Sequence, residues 1–369
     1  MTAQVFFTNL RTRPGINLLD KMEKLVRRAG INSIDFEKKL VAIKLHFGEV
    51  GNLAYIRPNY AARIVDIVRS LGGNPFVTDA NTLYVGGRAN AVDHLATAFK
   101  NGFNPHALGC QVIIADGLKG TDFQEIPINL KHCQTAKIGS VVADADIILS
   151  MNHFKGHELT CFGGALKNLG MGCGSRGGKL EMHSTSKPYI DSEACVGCRL
   201  CERNCAQHAI TMSADNFAVI DYEKCVGCGQ CIAVCAYNAA RPNWNESSDI
   251  CNEKIAEYAY AVVKDKPAFH INFVMDISPD CDCWNSNDLP IAADVGMLAS
   301  FDPVALDRAS VDLVNAAPLI PGSRLDEAGW QPGDDKFITI HPDTDWKTGL
   351  LHAESIGLGT QSYELITVK

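Results

Sequence analysis

The chain has 369 residues, 46% of them hydrophobic and 21% charged, the makeup of an ordinary globular protein with room for two or three domains. With 42 acidic against 34 basic residues, a net charge of −8 and no basic stripe, nucleic acid is excluded as the main partner. No apolar run approaches the ~18–20 residues that cross a bilayer, and the first residues lack the basic and apolar pattern of an export signal, so a cytoplasmic protein with no membrane partner is expected.

In chain order, Val5-Phe6-Phe7 opens a strand. Residues 16–29 then place Leu18, Leu19, Met22, Leu25 and Val26 on one helical face, stopped by Gly30. Residues 41–47 read as a second strand. Pro58 opens a helix carrying Ile64, Ile67, Val68 and Leu71, closed by Gly72-Gly73. A strand at 75–78, a helix near 88–101 and strands at 111–115 and 147–150 follow. Strand and helix in alternation predict an α/β fold, with a largely parallel sheet flanked by helices. The same grammar resumes late in the chain: a serine-capped helix over 248–264, a strand over 269–275 and a helix over 303–316.

Between the two parts lies Cys195-Val-Gly-Cys198-Arg-Leu-Cys201-Glu-Arg-Asn-Cys205. The pattern returns as Cys225-Val-Gly-Cys228-Gly-Gln-Cys231-Ile-Ala-Val-Cys235, 225 − 195 = 30 positions later. C-x2-C-x2-C-x3-C written twice is the spacing of a bacterial two-cluster ferredoxin. Three thiolates on a tight loop hold three corners of a cubane, and the fourth is carried by a short helix toward the other cluster. The expected ligand sets therefore cross. Cys195, Cys198, Cys201 and Cys235 hold one [4Fe–4S] cluster, and Cys225, Cys228, Cys231 and Cys205 hold the second. Structural zinc, which favours two C-x2-C pairs or mixed Cys/His sets, fits this pattern poorly. The predicted organisation is an α/β domain in two parts, 1–187 and 243–369. An α+β ferredoxin-like module over 188–242 is inserted between them, flanked by Pro188 and Pro242. Of 15 cysteines the repeat takes eight, and the odd remainder points to reduced thiols and metal ligands instead of a disulfide framework.

Ligands of open α/β sheets bind beyond the carboxyl ends of the strands. Polar residues gather at four such ends: Lys44 to Asn52 (with His46), Thr78 to Thr82, Met151 to His157, and Asp276 to Cys283. Cys281-Asp-Cys283 is the sharpest feature. Alternate residues of an extended segment point the same way, so both sulfurs can meet one additional metal ion, a cluster edge or a substrate carbon. Residues 162–178 contain seven glycines with Lys167 and Arg176. That composition suits either a backbone cradle for phosphate or carboxylate or a plain hinge. Lys44, Lys155, Lys167 and Arg176 together would neutralise a small anionic ligand, and His46 and His157 are candidate proton donors.

The chain resembles a family of iron–sulfur centre proteins described as domain of unknown function 362. The resemblance rests on Ile43-Lys-Leu-His-Phe-Gly-Glu-Val-Gly-Asn52, Thr78-Asp-Ala-Asn-Thr-Leu-Tyr84, Lys155-Gly-His157 with Leu166-Lys-Asn-Leu-Gly170, Cys281-Asp-Cys283 and Ser300-Phe-Asp-Pro-Val-Ala-Leu-Asp307. It implies an α/β domain interrupted by a ferredoxin module, with the clusters as cofactors. Two function classes follow. In the first, an oxidoreductase, the clusters connect an electron-donor or acceptor protein to a site in the α/β domain. There Cys281 and Cys283 act as metal ligands or a redox thiol pair, and Lys44 and Lys167 fix the anion. The second class is an electron-transfer adaptor without chemistry of its own.

Overall fold

The computed structural model describes residues 2–84, 86–184, 187–225, 227, 229–243 and 247–369. Eight strands make one sheet: β1 (Ala3–Asn9), β2 (Leu40–Lys44), β3 (Asn74–Asp79), β4 (Gln111–Ile114), β5 (Ile147–His153), β6 (Ala268–Val274), β7 (Gly296–Ser300) and β8 (Tyr363–Thr367). Their order across the sheet is β8-β1-β7-β6-β5-β2-β3-β4. Only β7 runs antiparallel to its neighbours, β1 and β6; every other adjacent pair is parallel. Strands from both sides of residues 188–242 share the sheet, with β5 and β6 pairing Leu149 against Phe269 and Asn152 against Asn272.

Alternation of side chains explains why both faces are covered. Val41, Ile43, Leu149, Ile271 and Phe273 bury one face against α1 (Leu18–Arg28), α2 (Pro58–Ser70) and α3 (Ala91–Lys100). On the other face Ala42, Ile148 and Leu298 meet α4 (Ala165–Cys173), α6 (Ser248–Val263) and α7 (Pro303–Ala316). Among the described residues no helix is long and apolar enough to cross a membrane.

Three features depart from the sequence reading. Strands β7 and β8 are unanticipated, because five residues with no alternating pattern carry no distinctive period. The glycine-rich stretch 162–178 is neither an open cradle nor a hinge, since it is mostly helical, in α4 and in α5 (Arg176–His183). Its glycines serve packing: a Cβ on Gly170 would stand 2.2 Å from the Ile255 carbonyl oxygen of α6. Finally, Cys281-Asp-Cys283 is a turn instead of an extended segment, with the Trp284 amide donating to the Cys281 carbonyl at 3.1 Å.

Residues 188–242 fold as short ladders, Tyr189–Ile190 with Ala240–Arg241 and Ile210–Met212 with Ala218–Ile220. The 30-residue period persists in the backbone. Positive φ recurs at Gly197 and Gly227, Arg199 and Gly229, and His208 and Asn238. Short helices recur at Leu200–Arg203 and Gln230–Ala233.

A polar chain crosses the apolar layer beneath the sheet. Asn168 Nδ2 donates to Asn152 Oδ1 at 2.7 Å, Asn152 Nδ2 to Asn272 Oδ1 at 2.9 Å, and Asn272 Nδ2 to Asp307 Oδ1 at 2.8 Å. Asp307, fully buried on α7, also accepts the first amides of α4, Ala165 at 2.7 Å and Leu166 at 2.9 Å. Burial lifts its carboxyl to about 6 against the opposing pull of these donors. Because both oxygens accept, Asp307→Asn would turn one of them into a donor facing a donor. The variant should lose roughly 2–3 kcal/mol of stability, read as a lower midpoint in urea denaturation.

Candidate functional site

Two cavities lie within residues 188–242, each with about 360 Å³ of space free of protein atoms, part of it open to solvent. Cys195, Cys198, Cys201 and Cys235 line one, and Cys205, Cys225 and Cys231 line the other. Cys228 lies outside the described residues. The remaining walls are apolar, with Ile190, Met212 and Ala218 in the first and Ile210 and Ile220 in the second. Backbone amides point at sulfur at matched places: Ala209 to Cys205 Sγ at 3.3 Å and, 30 residues on, Ala239 to Cys235 Sγ at 3.2 Å.

A third cavity of about 470 Å³, also partly open, sits beyond the carboxyl ends of β2 and β5. Lys44, His46, His153, Lys155, Lys167, Cys281 and Cys283 reach its wall. The Cys281 turn is fixed from three sides. The Glu49 amide donates to the Asp282 carbonyl at 3.1 Å, and the Gly156 amide to the Ser278 carbonyl at 2.9 Å. A Cβ on Gly156 would stand 2.0 Å from the Pro279 carbonyl oxygen, so only glycine admits this approach. Between the two cysteines, the Asp282 side chain points inward and accepts from His153 Nδ1 at 2.9 Å, with Lys155 Nζ 3.4 Å away. Burial, which would raise its pKa, is outweighed by His153 and Lys155, which hold it well below the usual carboxylate range.

The turn brings the sulfurs of Cys281 and Cys283 to 3.0 Å. The hydrogen bond between the two sulfurs is the main reason the Cys281 thiol drops to about 6. Burial opposes the drop, while Lys167 and Lys155 assist it, Lys167 Nζ lying 3.6 Å from the sulfur. Cys283 is raised by the same bond and by burial. Its sulfur lies 3.6 Å from His46 Nε2, and that ring is held neutral by burial and by Arg88. At neutral pH the pair is therefore one thiolate and one thiol. Lys44 and Lys155 are matched by carboxylates, Asp79 Oδ1 at 2.9 Å and Asp282 Oδ2 at 3.4 Å.

Several expected residues play other parts. His157 does not reach the third cavity. Its Nδ1 accepts the Leu159 and Thr160 amides at 3.0 and 3.2 Å, and burial together with Lys167 holds it well below its ordinary pKa, which disfavours the imidazolium that a proton donor needs. Arg176 is spent on the carbonyls of Thr82, Ala89 and Lys119 and on Gln230 Oε1, a clamp and not an anion contact. Cys161 and Cys173 are buried thiols pushed up to about 12 and about 11. For an additional metal, Cys281 and Cys283 supply two sulfurs. Among the described residues no group of three or more His, Cys, Asp or Glu side chains is arranged to hold one ion. Sequence reasoning missed Tyr84 and Arg88. Tyr84 stood in a quoted motif without a role, and nothing in the pattern marked Arg88 as buried.

Tyr84 and its predecessor join the sites. Leu83 is buried in the apolar core of residues 188–242 together with Leu180, Cys231 and Cys235, and a Cβ on Gly229 would stand 3.2 Å from its Cδ1. The next side chain, Tyr84, accepts at its hydroxyl from Arg88 Nη2 at 2.7 Å, and burial, helped by the charge of Cys283, raises its pKa. One dipeptide thus packs against the core that holds Cys231 and Cys235 and lies within electrostatic reach of Cys283.

Residues 41–312 match the model of a protein family described as "Domain of unknown function (DUF362)". No curated protein matches the chain. Among solved structures, a Thermotoga maritima protein is similar at 11% identity and a TM-score of 0.39, covering 81% of this chain and 58% of its own. The apoprotein of a lactate racemase from Thermoanaerobacterium thermosaccharolyticum is similar at 11% identity and a TM-score of 0.43, covering 99% of this chain and 83% of its own. The chain thus spans little more than half of the first of these proteins.

Iodoacetamide should alkylate Cys281 at a rate that climbs through pH about 6 and is level by pH about 8, because only the thiolate attacks. Peptide mass mapping should find Cys161 and Cys173 unmodified over that range. Cys283→Ala should move the Cys281 inflection upward, and Lys167→Met should move it less.

Proposed function

Since this chain belongs to the DUF362 family, whose description assigns no reaction, we propose a function from its residues. It is an iron–sulfur redox protein in which a ferredoxin-like module over 188–242 binds two [4Fe–4S] clusters. These relay electrons between an outside carrier protein and the thiol pocket of the α/β domain, an oxidoreductase site for a small anionic substrate.

The cysteine cavities fit that cofactor. The described thiols divide between them in the crossed sets that the doubled spacing requires, the walls are apolar, and amides donate to Cys205 and Cys235. Hydrogen bonds to sulfur and low solvent access are the features that tune such clusters. When bound, the clusters supply one-electron transfer. The observation that carries the relay is the Leu83-Tyr84 dipeptide, whose first side chain packs in the module core and whose second feels the charge of Cys283.

At the pocket this chain's own groups account for a two-electron step. Cys281 thiolate and Cys283 thiol form a disulfide as two electrons leave, and the Cys283 proton is released into the partly open cavity that Cys283 lines. The reverse step takes up two electrons and re-forms the thiol and thiolate. Asp282, held by His153 and Lys155, keeps the turn from rotating while the sulfurs change bonding. Lys167 orients an anion at the same face.

Anaerobically purified protein should contain about eight iron and eight sulfide per chain. In reductive titration the oxidised protein should accept about four electrons, one per cluster and two for the disulfide, and Cys281→Ala/Cys283→Ala about two. Equal uptake by both proteins would remove the thiol acceptor and favour an adaptor. Zinc without sulfide would remove the clusters.

A further inference from the structure

In the thiol pocket, Lys44 and Lys155 each face a buried carboxylate, Asp79 and Asp282 respectively. Lys167 differs. It sits in the first turns of α4, and the polar contact recorded for its Nζ among the described residues is the Cys281 sulfur at 3.6 Å. Glu158 feels the charge of Lys167, since burial of its carboxyl is outweighed by His157 and Lys167, which hold it down to about 2. Its side chain is 44% exposed, however, so solvent screens it. The sulfur is therefore the buried counter-charge of Lys167.

We infer that the Cys281/Cys283 pair and a small oxyanion compete for Lys167, so that forming the disulfide opens an anion site and reducing it closes that site. This rests on the thiol-pair part of the proposed function. In the step itself, Cys281–S⁻ and Cys283–SH become one S–S bond, one proton leaves into the partly open cavity, and two electrons pass to the relay. The sulfur facing Lys167 goes from charged to neutral. Lys155 keeps Asp282 and Lys44 keeps Asp79, so Lys167 alone loses its partner. Its ammonium then faces the cavity beside Gly163 and Gly164, which also line it. The substrate class that fits is a compact anion with phosphate-like or carboxylate-like oxygens, bound when the pair is oxidised and released when it is reduced. Binding and electron uptake are then linked, and linkage is reciprocal.

The test uses the holoprotein under anaerobic conditions, with the pair poised by reduced or oxidised dithiothreitol and inorganic phosphate titrated calorimetrically. Because a thiol buffer sets the state of the pair, the outcome does not depend on the clusters, whose iron is counted separately. Phosphate should bind about tenfold more tightly to the oxidised protein. Cys281→Ser should bind like the oxidised form at both poises, and Lys167→Met should bind weakly at both. Reciprocally, saturating phosphate should make the potential of the pair more negative by about 30 mV, the two-electron equivalent of tenfold. Equal affinities at the two poises, no phosphate binding at either, or a Lys167→Met protein that binds like wild type would overturn the inference. If anaerobically purified protein contains no iron or sulfide and still shows the redox-linked difference, the relay falls and this switch stands.

Discussion

The site depends on a carboxylate that never touches the cavity. Asp307 receives the two leading amides of α4 while anchoring Asn272, and through it Asn152 and Asn168. An apolar contact would let that helix slide or turn by small amounts, whereas directed hydrogen bonds in a low-dielectric layer allow one arrangement. With α4 pinned at its start, the positions of Lys167 and Asn168 follow. Asn168 in turn accepts from Lys44 Nζ at 2.7 Å. The interior therefore holds more polar matter than its size requires, and it is arranged to aim side chains at one end of the sheet.

Charge is handled there by pairing. Unpaired buried ions are costly, and paired ones return little net stability. Lys44 with Asp79, Arg88 with Glu49 at 3.1 Å, and Lys155 with Asp282 are thus better understood as fixing a field than as holding the fold. That field bears on two adjacent sulfurs unequally. Cys281 is pulled down by Cys283, Lys167 and Lys155, while Cys283 is pushed up by its neighbour and by burial. Two identical residues two positions apart acquire different chemistry from their surroundings.

Much of this was legible in the chain. Helix caps, the Pro58 start and the apolar runs placed six strands and five helices of the α/β part, because local rules govern them. The cysteine repeat announced a repeat of backbone shape, and positive φ recurs at its equivalent positions. Lys44, His46 and the Cys281/Cys283 pair were marked by sitting at strand ends, and Lys167 by its glycine-rich surroundings. What stayed hidden depends on tertiary contact. Glycines at 170 and 156 look like loop residues until Ile255 and Pro279 approach them. His157 looks like an acid until two turn amides occupy its nitrogen. Tyr84 and Arg88 had no signature because their value lies in what they join.

The strand order has a consequence for the making of the protein. β1, early in this sequence, lies between β7 and β8, which come about 290 and 360 residues after it, and has no other partner in the sheet. Its hydrogen-bonding edges stay bare until those strands have been made, the condition that invites wrong pairing with other chains. Closure of the sheet thus waits for Gly296–Ser300 and Tyr363–Thr367 and draws together strands that are far apart in sequence. A chain broken off before residue 296 would leave its opening strand permanently without a neighbour.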